Sequence, residues 1–97
     1  FRFTFPTDPA RHLRAAELID PGAVRQADPR DQLSHVLSSL MRDIGIPNGI
    51  GAVGYRAADI DQLVDGTMKQ QRLLNVAPRQ VGPRDIATVL GESLSNW

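Results

Sequence analysis

The segment between residues 28 and 47 contains the pattern that most restricts how this chain can fold. Apolar side chains recur three or four positions apart, at Leu33, Val36, Leu37, Leu40, Met41 and Ile44. This spacing predicts an α-helix with one continuous apolar face, because a strand would require strict alternation. Gly45 follows at the position of a left-handed helix cap, and Pro47 prevents the helix from resuming.

Three helix starts share one signal, in which a capping residue is followed by proline at the first helical position. The three pairs are Asp8-Pro9, Asp28-Pro29 and Gly82-Pro83. The first pair predicts a helix over Pro9–Ile19, and the second begins the helix described above. The third begins a last helix whose apolar face carries Ile86, Val89, Leu90, Ser93 and Leu94.

The remaining segments predict one further helix, a loop and an extended start. Apolar spacing predicts a third helix from about residue 57 to 68, with a break or bend near Gly66 because glycine costs roughly 1 kcal/mol relative to alanine. A short helix over residues 68–74 would follow. We expect residues 46–54 to form a structured loop whose Ile50 and Val53 enter the core, and residues 1–5 to be extended. The expected fold is all-α, with four or five helices in a single domain over residues 1–97.

Composition excludes several classes of function. Basic and acidic residues number 11 each, so the formal net charge is zero. Phosphate-backbone binding needs an uncompensated basic patch, which disfavours a helix-turn-helix nucleic-acid binder. No apolar run approaches the roughly 18 residues of a membrane span. The absence of cysteine excludes disulfides, thiolate metal ligands and a cysteine nucleophile within the chain.

Neither histidine has the spacing of a metal ligand, since no His-x-x-x-His or His-Glu pair accompanies it. We interpret His12 as a surface or boundary residue and His35 as a solvated residue loosely paired with Asp31. Two pairs of neighbouring carboxylates flank helix starts, where the helix dipole favours them, so general acid-base catalysis is not expected. These pairs are Asp28 with Asp31 and Asp59 with Asp61.

A longer tract has the order helix end, turn, helix start, Pro-Arg turn and final helix. It comprises Ile44-Gly45-Ile46-Pro47, Gly51-Ala52-Val53-Gly54-Tyr55, Asp59-Ile60, residues 70–79 and Asp85-Ile86, with Arg11-His12-Leu13 and Ala16-Glu17-Leu18 before it. This order resembles the carboxy-terminal end of the iron-containing alcohol dehydrogenases, and most closely their hydroxyacid-oxoacid transhydrogenase branch. Because the chain has no initiator methionine, we expect it to be a piece of such an enzyme.

The resemblance implies a parent oxidoreductase that uses NAD(P) and Fe(II) or Zn(II). It implies hydride transfer from an alcohol or hydroxyacid, and 4-hydroxybutyrate and a 2-oxoacid as substrates in the transhydrogenase branch. The family's metal ligands, one Asp and three His, and its nucleotide-binding domain would lie upstream. The chain would then be the carboxy-terminal part of the parent's metal-binding helical domain, inactive alone, with no catalytic, cofactor-binding or metal-binding residue of its own.

One segment of this chain is connected by the resemblance to the substrate cleft. Related dehydrogenases have an Asn-Pro-Arg turn there, which reads Ala77-Pro78-Arg79 in this chain. The resemblance implies that the residues just before it, Leu73, Leu74 and Asn75, line the cleft. The alternative is that both leucines anchor the loop in the helical core.

A free-standing helical protein-interaction module is the alternative function. The expected partners of a dehydrogenase piece are the parent's nucleotide-binding domain and, through apolar surface left at the two chain ends, further copies of the chain. Neither nucleic acid nor membrane is expected as a partner. The expected location is cytoplasmic, or mitochondrial in a eukaryote. The sequence leaves open the parent's substrate, its metal, NAD against NADP, its oligomeric state and the origin of the truncation.

Overall fold

The computed structural model describes all residues 1–97 and contains helices, turns and loops without a strand. The five α-helices are α1 (Pro9–Ile19), α2 (Gln32–Asp43), α3 (Ile60–Met68), α4 (Gln71–Leu74) and α5 (Pro83–Glu92). Short 3₁₀ segments occupy Phe5–Thr7, Pro29–Asp31, Ile50–Val53 and Ala57–Asp59. The all-α prediction is therefore confirmed. None of the helices combines the length and the apolar character needed to cross a bilayer.

The chain forms two compact units, residues 1–46 and residues 47–97. In the first unit α1 packs on α2. The buried centre of this contact consists of Ala16, Leu33 and Val36, with Ala15, Ala23 and Leu37 partly buried around it. The apolar face of α2 is buried only in its first half, because Leu40 and Ile44 towards its end are 43% and 65% exposed. The prediction of a single domain within a larger protein stays a prediction.

Both predicted helix starts of the first unit carry a side-chain cap. The Asp8 carboxylate accepts a hydrogen bond from the Arg11 N–H at 3.0 Å, and α1 begins at Pro9 as predicted. The Asp28 carboxylate accepts one from the Arg30 N–H at 3.0 Å. These bonds satisfy N–H groups that have no partner within the helix. The turn after Asp28 is a 3₁₀ segment, so that α2 proper begins at Gln32.

The end of α2 has the predicted glycine cap. Gly45 has φ +77°, a left-handed conformation that glycine adopts without steric cost. The Ile46 N–H donates to the Met41 carbonyl at 2.9 Å, and the Gly45 N–H donates to the Arg42 carbonyl at 3.1 Å. This pair of bonds is a Schellman motif, which satisfies carbonyls that the helix end leaves open.

The second unit is built on the packing of α3 against α5. Val64 of α3 is its buried residue, and Leu63, Ile86, Leu90 and Leu94 are half-buried. At the start of α5 the Asp85 carboxylate accepts a hydrogen bond from the Gly82 N–H at 2.8 Å. Asp85 thus lies in the first turn of α5, near the positive end of the helix dipole, which favours a carboxylate.

Three local expectations were wrong in detail. Residues 1–5 form a turn rather than an extended segment, because the N–H groups of Thr4 and Phe5 both donate to the Phe1 carbonyl, at 3.0 and 2.9 Å. Val53 does not enter the core, since it is 61% exposed. Helix α3 continues through Gly66 to Met68, and the break comes only before α4.

Candidate substrate-cleft segment

Helix α4 is a single turn that continues into a series of tight turns. The N–H groups of Leu73 and Leu74 both donate to the Gln70 carbonyl, at 3.0 and 3.1 Å, and the Asn75 N–H donates to the Gln71 carbonyl at 2.9 Å. Pro78 has no N–H to extend this ladder. The segment is therefore held by its own backbone rather than by a buried apolar face.

The structure places the three predicted cleft residues on and just after α4. Leu73 is 59% exposed, Leu74 is half-buried and Asn75 is exposed. The alternative in which both leucines anchor the loop in the core is thus wrong for Leu73, whereas the half-buried Leu74 is compatible with it. The next residue, Val76, is 80% exposed. Lining of a substrate cleft by these residues stays a prediction.

An open groove of ≈ 630 Å³ borders the start of this segment. Its lining includes the side chains of Tyr55, Gln62 and Gln70 and two residues without a side chain, Gly54 and Gly66. Leu73, Leu74 and Asn75 do not line it. Sequence reasoning missed this groove. The one available signal was Gly66, which lies inside the apolar pattern of α3 and adds no side chain to the groove.

The carboxylate closest to this groove already has a structural role. Asp59 lines the groove, but its Oδ2 accepts a hydrogen bond from the Arg56 N–H at 2.8 Å. This bond closes the 3₁₀ turn that leads into α3. The interpretation of Asp59 as a residue of a helix start is confirmed.

His12 is half-buried, and so lies between the surface and the interior of the first unit as predicted. Its Nδ1 donates to the Asp8 carbonyl at 2.8 Å, and its Nε2 lies 3.0 Å from the Thr4 hydroxyl. The Phe5 ring packs edge-on against it, with 5.6 Å between the ring centres. Both ring nitrogens are thus occupied by hydrogen bonds that fix the turn before α1.

The carboxylates and histidines of this chain do not assemble into a metal site. No three His, Asp or Glu side chains lie close enough together to hold a metal ion. His35 is exposed as predicted, but the Asp31 carboxylate pairs with Arg2 rather than with His35. The donor set therefore does not fit the metal that the resemblance implies for the parent enzyme.

Asp28 has the most perturbed carboxyl group. Arg30 donates to it from Nε at 3.0 and 2.9 Å and from Nη2 at 2.6 Å. These hydrogen bonds, together with the one from the Arg30 N–H, lower the pKa of Asp28 from 3.8 to about 2. A carboxylate held ionised in this way stabilises a helix start and is a poor proton acceptor at neutral pH.

Sequence reasoning also missed a contact made by Asn48. Its Oδ1 accepts hydrogen bonds from the N–H groups of Asn96 at 2.7 Å and Trp97 at 3.0 Å. Its Nδ2 donates to the Ser95 hydroxyl at 3.2 Å and to the Trp97 carbonyl. We call this contact between Asn48 and residues 95–97 the Asn48 latch. Residues 95–97 lie 47 to 49 positions from Asn48 in the sequence, so no local pattern indicates the contact.

Comparison with known proteins gives matches along the whole chain. A probable hydroxyacid-oxoacid transhydrogenase, mitochondrial, of Dictyostelium discoideum is 35% identical over 97 residues, which is 98% of this chain. The hydroxyacid-oxoacid transhydrogenases of Bos taurus and Homo sapiens are 34% and 35% identical over 96 residues, 97% of this chain. The chain is homologous to a segment of the hydroxyacid-oxoacid transhydrogenases. This confirms the family resemblance.

The matching segment is only a small part of each relative's own length. It spans 18% of the Dictyostelium protein and 21% of the bovine and human proteins. No protein-family model and no solved structure matches the chain. The match covers nearly all of this chain, and the homologous region therefore includes the segment around α4 and nearly all of the Asn48 latch.

Proposed function

We propose that this chain is the carboxy-terminal helical part of a metal-dependent, NAD(P)-linked hydroxyacid dehydrogenase or transhydrogenase. The observation that carries the proposal is identity of about 35% to transhydrogenases along the whole chain. The printed names of those relatives describe enzymes acting on hydroxyacids and oxoacids. We extend that substrate class to the parent of this chain, with 4-hydroxybutyrate and a 2-oxoacid as the first pair to test.

In this proposal the chain shapes the substrate cleft and supplies no reactive group. The exposed Leu73 and Asn75 and the half-buried Leu74 would form part of the cleft wall. Exposed apolar side chains next to them, such as Val76, would be covered by the rest of the enzyme. The metal ligands and the nucleotide-binding domain would lie in the remainder of the parent, as the family resemblance implies.

The same homology guides the proposed location. The relatives are named as mitochondrial proteins. We extend this location to the parent if its source is a eukaryote, and propose the cytoplasm otherwise. Fractionation of cells that express a tagged full reading frame tests this. Recovery outside the mitochondria of a eukaryotic cell, or in the washed membranes of a prokaryotic one, would contradict it.

The decisive experiment compares this chain with the protein encoded by its complete reading frame. Both are assayed for bound divalent metal and for oxidation of 4-hydroxybutyrate coupled to reduction of a 2-oxoacid. We expect the long protein to bind metal and turn over, and the 97-residue chain to do neither. The proposal would be refuted if the isolated 97-residue chain bound a stoichiometric amount of metal. It would also be refuted if the long protein bound metal but had no activity on any hydroxyacid.

A further inference from the structure

We propose that Asn48 is a deamidation site that the latch protects while residues 95–97 are docked. The chemistry is intramolecular. The backbone nitrogen of Gly49 gives its proton to water and attacks the side-chain carbonyl carbon, Cγ, of Asn48. A bond forms between this nitrogen and Cγ, the Cγ–Nδ2 bond breaks, and Nδ2 takes up a proton and leaves as ammonia. Water then opens the resulting succinimide to aspartate or isoaspartate. No oxidant, metal or enzyme is needed.

The Asn48-Gly49 pair is well suited to this reaction. Glycine has no Cβ, so the attacking nitrogen of Gly49 is less hindered than that of any other residue. The chain contains two other asparagines, and each precedes a bulky residue, in Asn75-Val76 and Asn96-Trp97. Asn48 is therefore expected to be the most reactive asparagine once its side chain is free to move.

The fold requires both members of the pair. A Cβ at Gly49 would lie 2.5 Å from the Ser93 carbonyl oxygen and 2.6 Å from that of Leu94, and Gly49 has φ +72°. The side chain of Asn48 supplies two acceptor and two donor contacts to residues 95–97. Exchange of either residue should weaken the docked arrangement, so a reactive dipeptide is built into the fold.

The same contacts protect the amide. Ring closure requires the Asn48 side chain to turn towards the Gly49 nitrogen, and its four hydrogen bonds hold it towards residues 95–97 instead. The leaving nitrogen, Nδ2, is occupied by Ser95 and Trp97. Deamidation should therefore proceed from the state in which the latch is open, and its rate should report how often the latch opens.

Conversion to aspartate weakens the latch permanently. A carboxylate has no donor, so the contact of Nδ2 with the Trp97 carbonyl becomes an unfavourable approach of two oxygens. The Ser95 hydroxyl now donates to the Trp97 carbonyl at 3.0 Å, and it can bond to the new carboxylate only by giving up that bond. The acceptor contacts to the N–H groups of Asn96 and Trp97 can persist. Isoaspartate also inserts a methylene into the backbone at the point where it approaches Ser93. The docked segment should then open more often.

The test follows amide-to-acid conversion at each asparagine by peptide mass mapping in a mildly alkaline, ammonia-free buffer. In guanidinium chloride we expect Asn48 to react faster than Asn75 and Asn96. In the folded chain we expect Asn48 to react at least about tenfold more slowly, because opening several hydrogen bonds lowers the reactive population. Equal rates at Asn48 with and without denaturant, or Asn48 no faster than Asn75 in denaturant, would overturn the proposal.

Two variants test the role of the latch. Ser95→Ala removes a partner of Nδ2 and should speed conversion at Asn48 without changing the rate at Asn75. An unchanged rate at Asn48 would contradict protection by the latch.

Asn48→Asp tests the proposed consequence of the reaction. It should speed hydrogen exchange at the N–H groups of Ile50 and Gly51, which donate to the Ser93 and Leu94 carbonyls. Asn75→Asp is the matched control. Equal exchange in Asn48→Asp and the unmodified chain would refute the proposed consequence.

Discussion

Arg2 and Asp31 form a two-bonded ion pair although they lie 29 positions apart. The Nε of Arg2 donates to Oδ1 of Asp31 at 2.8 Å, and Nη2 donates to Oδ2 at 2.5 Å. The side chains are 48% and 38% exposed, so water weakens the attraction. The pair connects the first turn of the chain to the start of α2.

We predict that Arg2→Ala and Asp31→Ala each destabilise the chain by less than about 1 kcal/mol, because partly exposed ion pairs contribute little. A double-mutant cycle by denaturant unfolding should give a positive coupling energy that falls as salt is added. His35→Ala is the control, since His35 is exposed and has no bond to Asp31. A coupling energy of zero at low salt would show that the pair contributes nothing.

Acid should act on the chain through Asp28. The pKa of Asp28 is lowered from 3.8 to about 2 by the hydrogen bonds from Arg30. A carboxylate with a lower pKa in the folded state stabilises the fold above its unfolded pKa, and this stabilisation is lost as pH falls. We therefore expect a loss of stability between about pH 4 and pH 2.

The measurement is denaturant unfolding across that pH range for the unmodified chain and for Asp28→Asn. The variant should be less stable near neutral pH and should lose less stability on acidification, so that the two curves converge near pH 2. Arg30→Ala should show the same change to a smaller extent, because it removes the side-chain donors and leaves the bond from the backbone N–H of residue 30. Parallel curves for the chain and both variants would show that the Asp28 pKa does not differ between the folded and unfolded states.

Two glycines of the second unit should respond differently to alanine. Gly49 and Gly54 both have positive φ, +72° and +108°. A Cβ at Gly49 would meet the Ser93 carbonyl oxygen at 2.5 Å, whereas one at Gly54 would meet nothing within 4 Å. Gly54→Ala should carry only the backbone cost of about 1–2 kcal/mol, and Gly49→Ala should cost at least about 1 kcal/mol more. Equal unfolding free energies for the two variants would mean that the contact with Ser93 is not rigid.

A third glycine should behave in the opposite way. Gly66 lies inside α3, has no positive φ, and a Cβ there would meet nothing within 4 Å. Gly66→Ala should therefore stabilise this chain by about 0.5–1 kcal/mol, because alanine restricts the unfolded chain and favours the helix. Gly91→Ala in α5 has the same open surroundings and is the matched comparison. Destabilisation by Gly66→Ala, measured by denaturant unfolding, would contradict the geometry.

Local signals explain why most helices could be predicted from the sequence. Asp8, Asp28 and Gly45 act on residues within one turn, and the structure has all three as expected. The turn at residues 1–5 was missed because it depends on backbone bonds to the Phe1 carbonyl rather than on side-chain alternation. Val53 was misplaced because an apolar residue between glycines does not indicate which way the loop turns.

The candidate site was less accessible to sequence reasoning. Homology indicated the α4 segment, but periodicity could not show that Leu73 would be exposed while Leu74 is half-buried. The Asn48 latch and the Arg2–Asp31 pair both join residues far apart in sequence. Such pairings depend on how the elements pack, which a single sequence does not encode in any short motif.

The cleft-wall proposal predicts a separation of stability from activity at Leu73. Because this side chain is 59% exposed, Leu73→Ala should change the unfolding free energy of the 97-residue chain by less than about 0.5 kcal/mol. In the long protein the same change should raise KM for the hydroxyacid or lower kcat/KM several-fold, because a cleft wall positions the substrate.

Val76→Ala is the matched control for that experiment, since Val76 is 80% exposed and lies outside the predicted cleft set. It should leave both kinetic constants close to those of the unmodified enzyme. If Leu73→Ala and Val76→Ala alter the kinetics equally, the effect is one of general packing against the rest of the enzyme. If Leu73→Ala leaves kcat/KM unchanged, Leu73 does not line the cleft, and the α4 segment has a structural role in the long protein and does not position the substrate.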